Sequence, residues 1–328
     1  MKNIKSIKSI GRMLAGGVVF AMLAGYGSQS LAADFPIRPI NLIVPYAAGG
    51  SSDLSARPYA EELGNILKQP VVVMNKPGAG GAIGAAEVAR AQGNGYTLLN
   101  ASIGNITIAP YTSNVGYDYT SLRAVAQMTD IPLALTVKAD SPIKNLKEFV
   151  DFAKKNPGKI RYGSPGAGNI QHVTTEGWMK KVGIKLTHMP FKGANPAIAA
   201  LLGGHVEATV TGVTEAAPHH KSGALRILGV TAPARIEMVD VPTFKEQGFD
   251  LQAGVWYGVM APKSTPDAVV NALVAALKKT YDSPKVQNAW KKLFLIPSFL
   301  GPEEFGARVA REAALHQQVL KDIGLYKK

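Results

Sequence analysis

The chain has 328 residues, of which 46% are hydrophobic and 18% are charged, a composition typical of a folded globular protein and not of a disordered one. Its length predicts two domains of ordinary size. The formal net charge is +13 at pH 7, and the absence of cysteine excludes disulfide bonds, thiolate metal sites and a cysteine nucleophile.

The N-terminal segment, residues 1–33, has the pattern of a secretory signal peptide. Four basic side chains between residues 2 and 12 precede an apolar stretch over residues 13–25, and small residues follow. The pattern predicts export to the periplasm, with cleavage after Ala32 or Ala33. The alternative is an uncleaved membrane anchor, which the short apolar stretch disfavours because about 20 apolar residues are needed to span a bilayer.

The excess of positive charge raises the question of an anionic partner. The lysines occur as scattered pairs, such as Lys154-Lys155 and Lys278-Lys279, near the ends of amphipathic stretches. Lysine at the C-terminal end of a helix interacts favourably with the helix dipole and usually marks a solvated face. The distribution therefore argues against nucleic acid as a partner, while the net charge still favours attraction of small anions.

In chain order, short β-branched runs alternate with helical stretches. The first unit is predicted as strand 40–44, helix 53–67, strand 71–74, helix 82–91 and strand 96–100. This βαβαβ order predicts parallel strands joined by right-handed crossovers.

A second α/β unit follows after residue 137. Its elements are predicted as helix 146–155, strand 160–162, helix 171–182, strand 186–189, helix 196–202 and strands 208–211 and 226–230, before closing helices 266–281 and 302–323. Continuous apolar runs at 131–137 and 255–261 predict two strand connections between the units. We therefore expect a first lobe of residues 34–136 and 251–328, an inserted second lobe of residues 137–250, and a ligand cleft between them.

Glycine and small hydroxyl residues follow the predicted strands at the points where helices begin. They occupy residues 45–53, 75–81, 101–105 and 163–169. A helix N-terminus leaves about four N–H groups unpaired and carries a partial positive charge, and glycine lets a ligand approach that backbone. Because a charge-assisted hydrogen bond contributes about 1.5–3 kcal/mol, a handful of such contacts predicts capture of a small anion without a metal or cofactor.

The same loops carry a resemblance to a known family. The motif Pro-Tyr-Ala-Ala-Gly-Gly-x-x-Asp-x-x-Ala-Arg at residues 45–57 resembles the signature of the Bug (TctC-type) receptors of tripartite tricarboxylate transporters. Further motifs are similar to this family, in its order, at residues 75–81, 163–172, 190–193, 201–204 and 254–266. The resemblance covers the whole mature chain. It implies a type II periplasmic-binding-protein fold, a carboxylate ligand, a two-component integral-membrane permease as partner, and a monomeric receptor.

The candidate ligand-binding residues lie in these loops or at the end of a strand. They are Tyr46, Ser51, Ser52, Asp53, Ala79, Gly80, Gly81, Ser102, Asn105, Ser164, Ala167, Gly168, Asn169 and Thr211. Many members of the family carry Asp where this chain has Thr211, and an Asp there would suit an ammonium group. The resemblance therefore predicts a ligand without an amino group, such as a di- or tricarboxylate or an aromatic acid.

Several of these residues have a structural alternative. Asp53 either contacts the ligand or caps its helix, and His172 is interpreted as a packing or capping residue. Trp256 and Tyr257 fit hinge core as well as pocket wall. Because His219 and His220 are adjacent and cannot share a helix face, no metal site is predicted there.

The sequence lacks the motifs of the main enzyme classes. No Gly-x-Ser-x-Gly nucleophile elbow, no Gly-x-x-x-x-Gly-Lys-Ser/Thr loop and no His-Glu-x-x-His motif occurs. We therefore predict no catalytic residue and no cofactor. The alternatives to a transport receptor are a ligand-sensing partner of a membrane signalling kinase and, as the enzyme reading, a periplasmic hydrolase.

Overall fold

The computed structural model describes residues 35–191, 193–237, 239–293 and 295–327. The predicted signal peptide lies outside these residues. Among the helices described, none combines the length and the apolar character needed to cross a bilayer.

The first unit forms the predicted βαβαβ arrangement. Its elements are β1 (Ile40–Val44), α1 (Ser51–Leu67), β2 (Val71–Asn75), α2 (Ala82–Ala89) and β3 (Thr97–Ser102), followed by the short helices α3 (Ile103–Thr107) and α4 (Ala109–Thr112). Strand β1 lies between β2 and β3 and pairs with both in parallel. The predicted parallel order is therefore confirmed.

The second unit follows a 17-residue strand, β4 (Leu122–Lys138). Its elements are α5 (Leu146–Lys155), β5 (Arg161–Ser164), α6 (Ile170–Val182), β6 (Thr187–Pro190), α7 (Ala194–Leu202), β7 (Ala208–Gly212), α8 (Val213–Lys221) and β8 (Leu225–Val230). Strand β5 pairs in parallel with β6 and β7.

The chain then returns to the first unit. The returning elements are β9 (Gly254–Pro262), α9 (Asp267–Asp282), α10 (Pro284–Lys292), β10 (Pro297–Leu300) and α11 (Pro302–Asp322). The strand order is β2-β1-β3-β9-β4-β7-β5-β6, with β8 and β10 also paired to β4. We name β1–β3, β9, β10 and the start of β4 the first half of the sheet, and β5–β8 with the end of β4 the second half.

Strand β4 passes through both halves of the sheet. It pairs antiparallel with β9 from Leu122 to Pro132, and with β7 from Leu133 onward. Strands β4 and β9 thus form the two connections predicted at residues 131–137 and 255–261. The lobe limits of 34–136 with 251–328, and of 137–250, remain a prediction.

Alternation along the strands buries both faces of the first half. Leu42 packs with Tyr59 and Trp290 on one face, whereas its neighbour Ile43 packs with Trp256 on the other. Full burial of a large apolar side chain contributes about 1.5–3 kcal/mol. Two-sided burial therefore fixes the sheet firmly enough to position the loops at the ends of its strands.

Five elements do not appear among the predicted ones. They are the short helices α3 and α4, and α8, α10 and β10. Helix α8 carries Pro218 in its interior, and proline ordinarily breaks a helical pattern. Strand β10 has only four residues, all of them half-buried, so no period-2 alternation marks it.

Candidate functional site

A cavity of about 550 Å³ lies where the strand-end loops of both halves of the sheet meet. Its lining residues are Tyr46, Gly50, Ser51, Ser52, Ala79, Gly80, Ser102, Ile103, Gly104, Ile108, Ala109, Thr112, Ser113, Ala167, Gly168, Asn169, Ile170, Gln171, Val255 and Tyr257. Nine of the fourteen predicted ligand-binding residues are in this set. The structure therefore brings together the loops that the sequence placed at four separate strand ends.

The first loop presents the N-terminus of α1 to the cavity. Ser51 and Ser52 line the cavity, and the first helical hydrogen bond runs from the Leu54 amide to the Gly50 carbonyl at 2.9 Å. The preceding amides are the ones that an α-helix leaves without an internal partner. This end of the cavity thus offers backbone donors and two hydroxyl groups.

Asp53 supports this loop from behind and does not line the cavity. One carboxylate oxygen accepts hydrogen bonds from the Gly49 amide and Arg57 Nε at 2.9 and 2.8 Å. The other oxygen accepts from Arg57 Nη2 and Asn75 Nδ2, each at 2.9 Å. Asp53 is 1% exposed, so its carboxylate organises the loop and leaves no face for a ligand.

Asp53→Asn is expected to lower the free energy of unfolding by about 1–3 kcal/mol at pH 7. Both oxygens of Asp53 accept hydrogen bonds, and the NH₂ group of Asn would replace one of them with a donor that faces another donor. Burial alone raises the pKa of Asp53, but the hydrogen bonds from Arg57, Gly49 and Asn75 outweigh it and hold that pKa below its ordinary value. A lowered pKa stabilises the fold above the pKa of the unfolded chain, and this stability is lost as the pH falls. The difference in unfolding free energy between the wild type and Asp53→Asn should therefore become smaller from pH 7 to pH 3, as measured by urea unfolding.

The matched control for this substitution is Asp151→Asn on α5. Asp151 also pairs with a basic residue one turn away, Lys147 at 2.8 Å, but both side chains are about half exposed or more. A much smaller change is expected, since exposed ion pairs contribute little. Equal stability of Asp53→Asn and the wild type at pH 7 would contradict the role assigned to Asp53.

Tyr46 joins three loops at the floor of the cavity. Its hydroxyl donates to the Gly80 carbonyl at 3.1 Å and lies 2.9 Å from Ser102 Oγ. Gly81 sits against the Tyr46 ring with a φ of +92°, and a methyl group there would come within 2.9 Å of Tyr46 Cζ. Gly81 is not a lining residue, but its lack of a side chain lets the Tyr46 ring pack against the loop at 78–81 beneath the cavity.

Asn105 also lies beneath the lining. It is fully buried, and its Oδ1 accepts a hydrogen bond from the Ser102 amide at 3.0 Å. Its Nδ2 makes no hydrogen bond to any residue that the structure describes. Asn105 lies in α3 and does not line the cavity, so its predicted role toward a ligand would be indirect.

The second half of the sheet contributes the loop between β5 and α6. Ala167, Gly168 and Asn169 line the cavity, and Asn169 Oδ1 caps α6 by accepting from the His172 amide at 2.9 Å. Ser164 is fully buried instead, with Oγ 2.7 Å from His188 Nε2.

Thr211 lies in the buried strand β7. It is fully buried, and its hydroxyl donates to the Gly212 carbonyl at 3.3 Å. It is not part of the lining. Any influence of Thr211 on ligand choice would therefore act from beneath the cavity surface.

The remaining lining residues were not among the predicted ligand-binding residues, although pocket wall was one alternative for Tyr257. They come mainly from α3 and α4, from the first turn of α6, and from β9. Ile108, Ala109 and Val255 make part of the wall apolar, and Tyr257 of β9 lines the cavity while its neighbour Trp256 is fully buried. The alternation of strand β9 would separate these two residues onto opposite faces, but the sequence alone does not say which face meets the cavity.

The residues that line the cavity are uncharged. None of its twenty lining residues carries a charged side chain. An adjoining cavity, which shares Gly50 and Ser51 with it, is bordered by the carboxylate of Glu215. No group of three or more potential metal ligands occurs among the described residues. An anion in this cavity would therefore be held by backbone amides and hydroxyl groups.

Comparison with known proteins places the chain among receptors of one family. Residues 55–325 match the family described as tripartite tricarboxylate transporter family receptor. A protein encoded in the gbd 5′ region of Cupriavidus necator is 36% identical over 307 residues, covering 93% of each chain. Protein BugT of Bordetella pertussis is 31% identical and covers 95% of this chain and 98% of its own.

Solved structures agree with the fold. A TctC solute-binding protein from Polaromonas superposes with a TM-score of 0.82 at 34% identity, covering 88% of this chain and 99% of its own. MatC from Rhodopseudomonas palustris with bound malate gives 0.70 at 28% identity, with coverages of 87% and 100%. A second R. palustris protein, bound to adipate, gives 0.73 at 27%, with coverages of 88% and 98%. These likenesses confirm the predicted two-lobe binding-protein fold.

Proposed function

Because the chain belongs to the receptor family of tripartite tricarboxylate transporters, we propose that it captures a small di- or tricarboxylate, or an aromatic carboxylate, for a transporter of that type. Proteins of this family are solute-binding receptors and not enzymes, which excludes the hydrolase alternative. The observation that carries the proposal is the neutral cavity toward which loops from both halves of the sheet turn helix N-termini, with hydroxyl groups added by the first half.

The energetics of the cavity are adequate for such a ligand. Micromolar affinity corresponds to about 8 kcal/mol, and each charge-assisted hydrogen bond contributes about 1.5–3 kcal/mol. The lining offers Ser51, Ser52, Ser102 and the amides of two loops. The volume of about 550 Å³ lies within the range of small-molecule sites.

Two observations support the ligand class. Relatives with the same fold hold malate and adipate, both of which are dicarboxylates without an amino group. The position at which many family members carry Asp is Thr211 here, and from beneath the cavity surface threonine supplies no charge that would attract an ammonium group. We therefore propose that non-amino carboxylates are preferred over aspartate and glutamate.

The proposal extends to location and partners. Receptors of this family are periplasmic, and we propose export with cleavage after Ala32 or Ala33, a monomeric mature receptor, and a two-component membrane permease as its partner. A sensory role toward a membrane kinase would use the same cavity. Affinity capture with the liganded receptor, comparing the permease with the kinase ectodomain, separates the two roles.

A thermal-shift screen of carboxylates tests the ligand class. A compound at 100 times its Kd is expected to stabilise the receptor by about 2.7 kcal/mol. Malate, adipate, citrate and benzoate should be compared with aspartate and glutamate, and adipamide serves as the uncharged control for adipate. Preference for the amino acids would contradict the assignment based on Thr211. Stabilisation by no carboxylate, or equally by adipamide, would contradict the proposed function.

A further inference from the structure

Two stacked histidines lie directly behind the loop between β5 and α6, which lines the cavity from the second half of the sheet. The rings of His172 on α6 and His188 on β6 are 3.8 Å apart between centroids and nearly parallel, at 10°. We name them the histidine pair. Neither lines the cavity, but the loop that they support does, through Ala167, Gly168 and Asn169.

His172 holds this loop by its unprotonated nitrogen. Its Nδ1 accepts a hydrogen bond from the Gly168 amide at 3.0 Å, so Nδ1 carries no proton and the ring proton of the neutral form is on Nε2. Nε2 faces Glu176 Oε1 at 3.6 Å. Gly168 has a φ of +72°, a conformation that its bond to His172 helps to hold.

His188 supports the other end of the same loop. Its Nε2 lies 2.7 Å from Ser164 Oγ, which also accepts a hydrogen bond from the Gly166 amide at 3.3 Å. Burial, together with the charge of the neighbouring His172, lowers the pKa of His188 to about 4, although Glu176 acts in the opposite direction. His188 therefore stays neutral over the range in which histidines ordinarily change charge.

The surroundings of the pair oppose positive charge on both rings at once. Two charged imidazoles in stacking contact repel each other, whereas Glu176 lies beside His172. From β5, Tyr162 donates to Glu176 Oε1 at 3.0 Å and packs on His188. Asp322 at the end of α11 forms an ion pair with Lys180 of α6, two turns beyond His172.

We infer that His172 is a positioning residue of the binding site, whose protonation weakens ligand binding by taking away the acceptor of the Gly168 amide. A second ring proton makes Nδ1 a donor, so that two donors face each other and the loop must turn. Ligand binding then favours neutral His172, and affinity decreases as the pH decreases. The part of this inference that concerns affinity rests on the proposed function.

The first test measures Kd by calorimetry with malate and adipate between pH 8 and pH 5.5. One linked proton weakens binding by up to about tenfold per pH unit. His172→Asn places a carbonyl oxygen near the position of Nδ1 that does not protonate, so its Kd should vary less with pH than that of the wild type. Since both proteins meet the same ligand, the ratio of their Kd values cancels the ligand's own ionisation. His205→Asn, at an exposed histidine, should behave as the wild type.

The second test needs no ligand. In a two-dimensional amide NMR spectrum, the Gly168 resonance of the unliganded protein should shift with pH in the wild type and in His205→Asn, and stay constant in His172→Asn. A Gly168 resonance that does not respond to pH, or identical pH profiles of Kd in the wild type and His172→Asn, would overturn the inference. If neither malate nor adipate binds at pH 8, the proposed ligand class fails for these compounds and the Gly168 resonance alone decides the role of His172.

Discussion

Arg308→Ala is expected to lower the free energy of unfolding by about 3–5 kcal/mol at pH 8, because it leaves two largely buried acids, with side chains 21% and 14% exposed, without their cation. Arg308 Nη1 contacts Asp130 Oδ2 at 2.6 Å and Gln127 Oε1 at 3.0 Å, and its Nε donates to Glu312 Oε1 at 2.8 Å. Glu312 in turn accepts from Trp256 Nε1 at 2.7 Å. The network ties α11 to β4 and β9 where the two halves of the sheet meet. Urea unfolding measures the loss.

The loss of unfolding free energy caused by Arg308→Ala should depend on pH. Burial raises the pKa of Asp130 above its ordinary value, while Arg308 opposes the shift. An acid with a raised pKa binds its proton more readily in the folded state, so stability falls as the pH rises through that pKa. Without Arg308 the pKa of Asp130 rises further, and the deficit should be smaller at pH 5 than at pH 8.

Two comparisons make the result for Arg308 specific. Arg308→Lys keeps the charge but not the forked geometry, and partial recovery of stability is expected. Arg235→Ala removes an exposed arginine that pairs with Asp240 and Glu246, and should have a much smaller effect. Equal losses at Arg308 and Arg235 would show that the network adds nothing beyond surface pairing.

Gly81→Ala is expected to weaken carboxylate binding by at least about tenfold, or about 1.4 kcal/mol. The added methyl group would lie 2.9 Å from Tyr46 Cζ, closer than non-bonded carbon atoms approach, and 3.1 Å from Asn105 Cβ, which is already tight. The loop at 78–81 or the Tyr46 ring must therefore move, and either movement changes the floor of the cavity. Calorimetry with adipate measures the affinity, and urea unfolding measures the accompanying loss of stability.

The matched control for Gly81 is Gly183→Ala, at the C-terminal end of α6. Gly183 also has a positive φ, +69°, but a methyl group there meets open space. A left-handed conformation costs a residue with a side chain about 1–2 kcal/mol, so both variants lose stability while only Gly81→Ala should lose affinity. Binding of adipate by Gly81→Ala as tight as by Gly183→Ala would refute the steric argument.

The sequence predicted the repeating elements and the loops, because both rest on local patterns. Strand β1 and helix α5 have the predicted limits, and β1, β2 and β3 pair as the βαβαβ order requires. Glycine and serine at the strand ends identified the loops that meet at the cavity. These features depend on neighbours in the chain or on the general handedness of crossovers.

The division of roles within each loop was not predictable in the same way. Asp53 and Ser164 belong to the predicted loops, but each turns into the protein to bond residues distant in sequence, such as Asn75 and His188. Which side chains line a cavity and which support it depends on tertiary contacts between strands. The contribution of α3 and α4 to the wall likewise had no local signal, because helices of five and four residues have too few turns to show a period.

The continuity of β4 has a mechanical consequence. Pro132, which has no amide hydrogen, pairs with Gly254, which has no side chain, at the last register position before β4 changes partner from β9 to β7. The pairing of β4 with β9 therefore lacks one backbone donor and one side chain where the two halves of the sheet join. If the halves rotate toward each other around a ligand, β4 and β9 must twist at this point, and the free energy of that twist is subtracted from the free energy of binding.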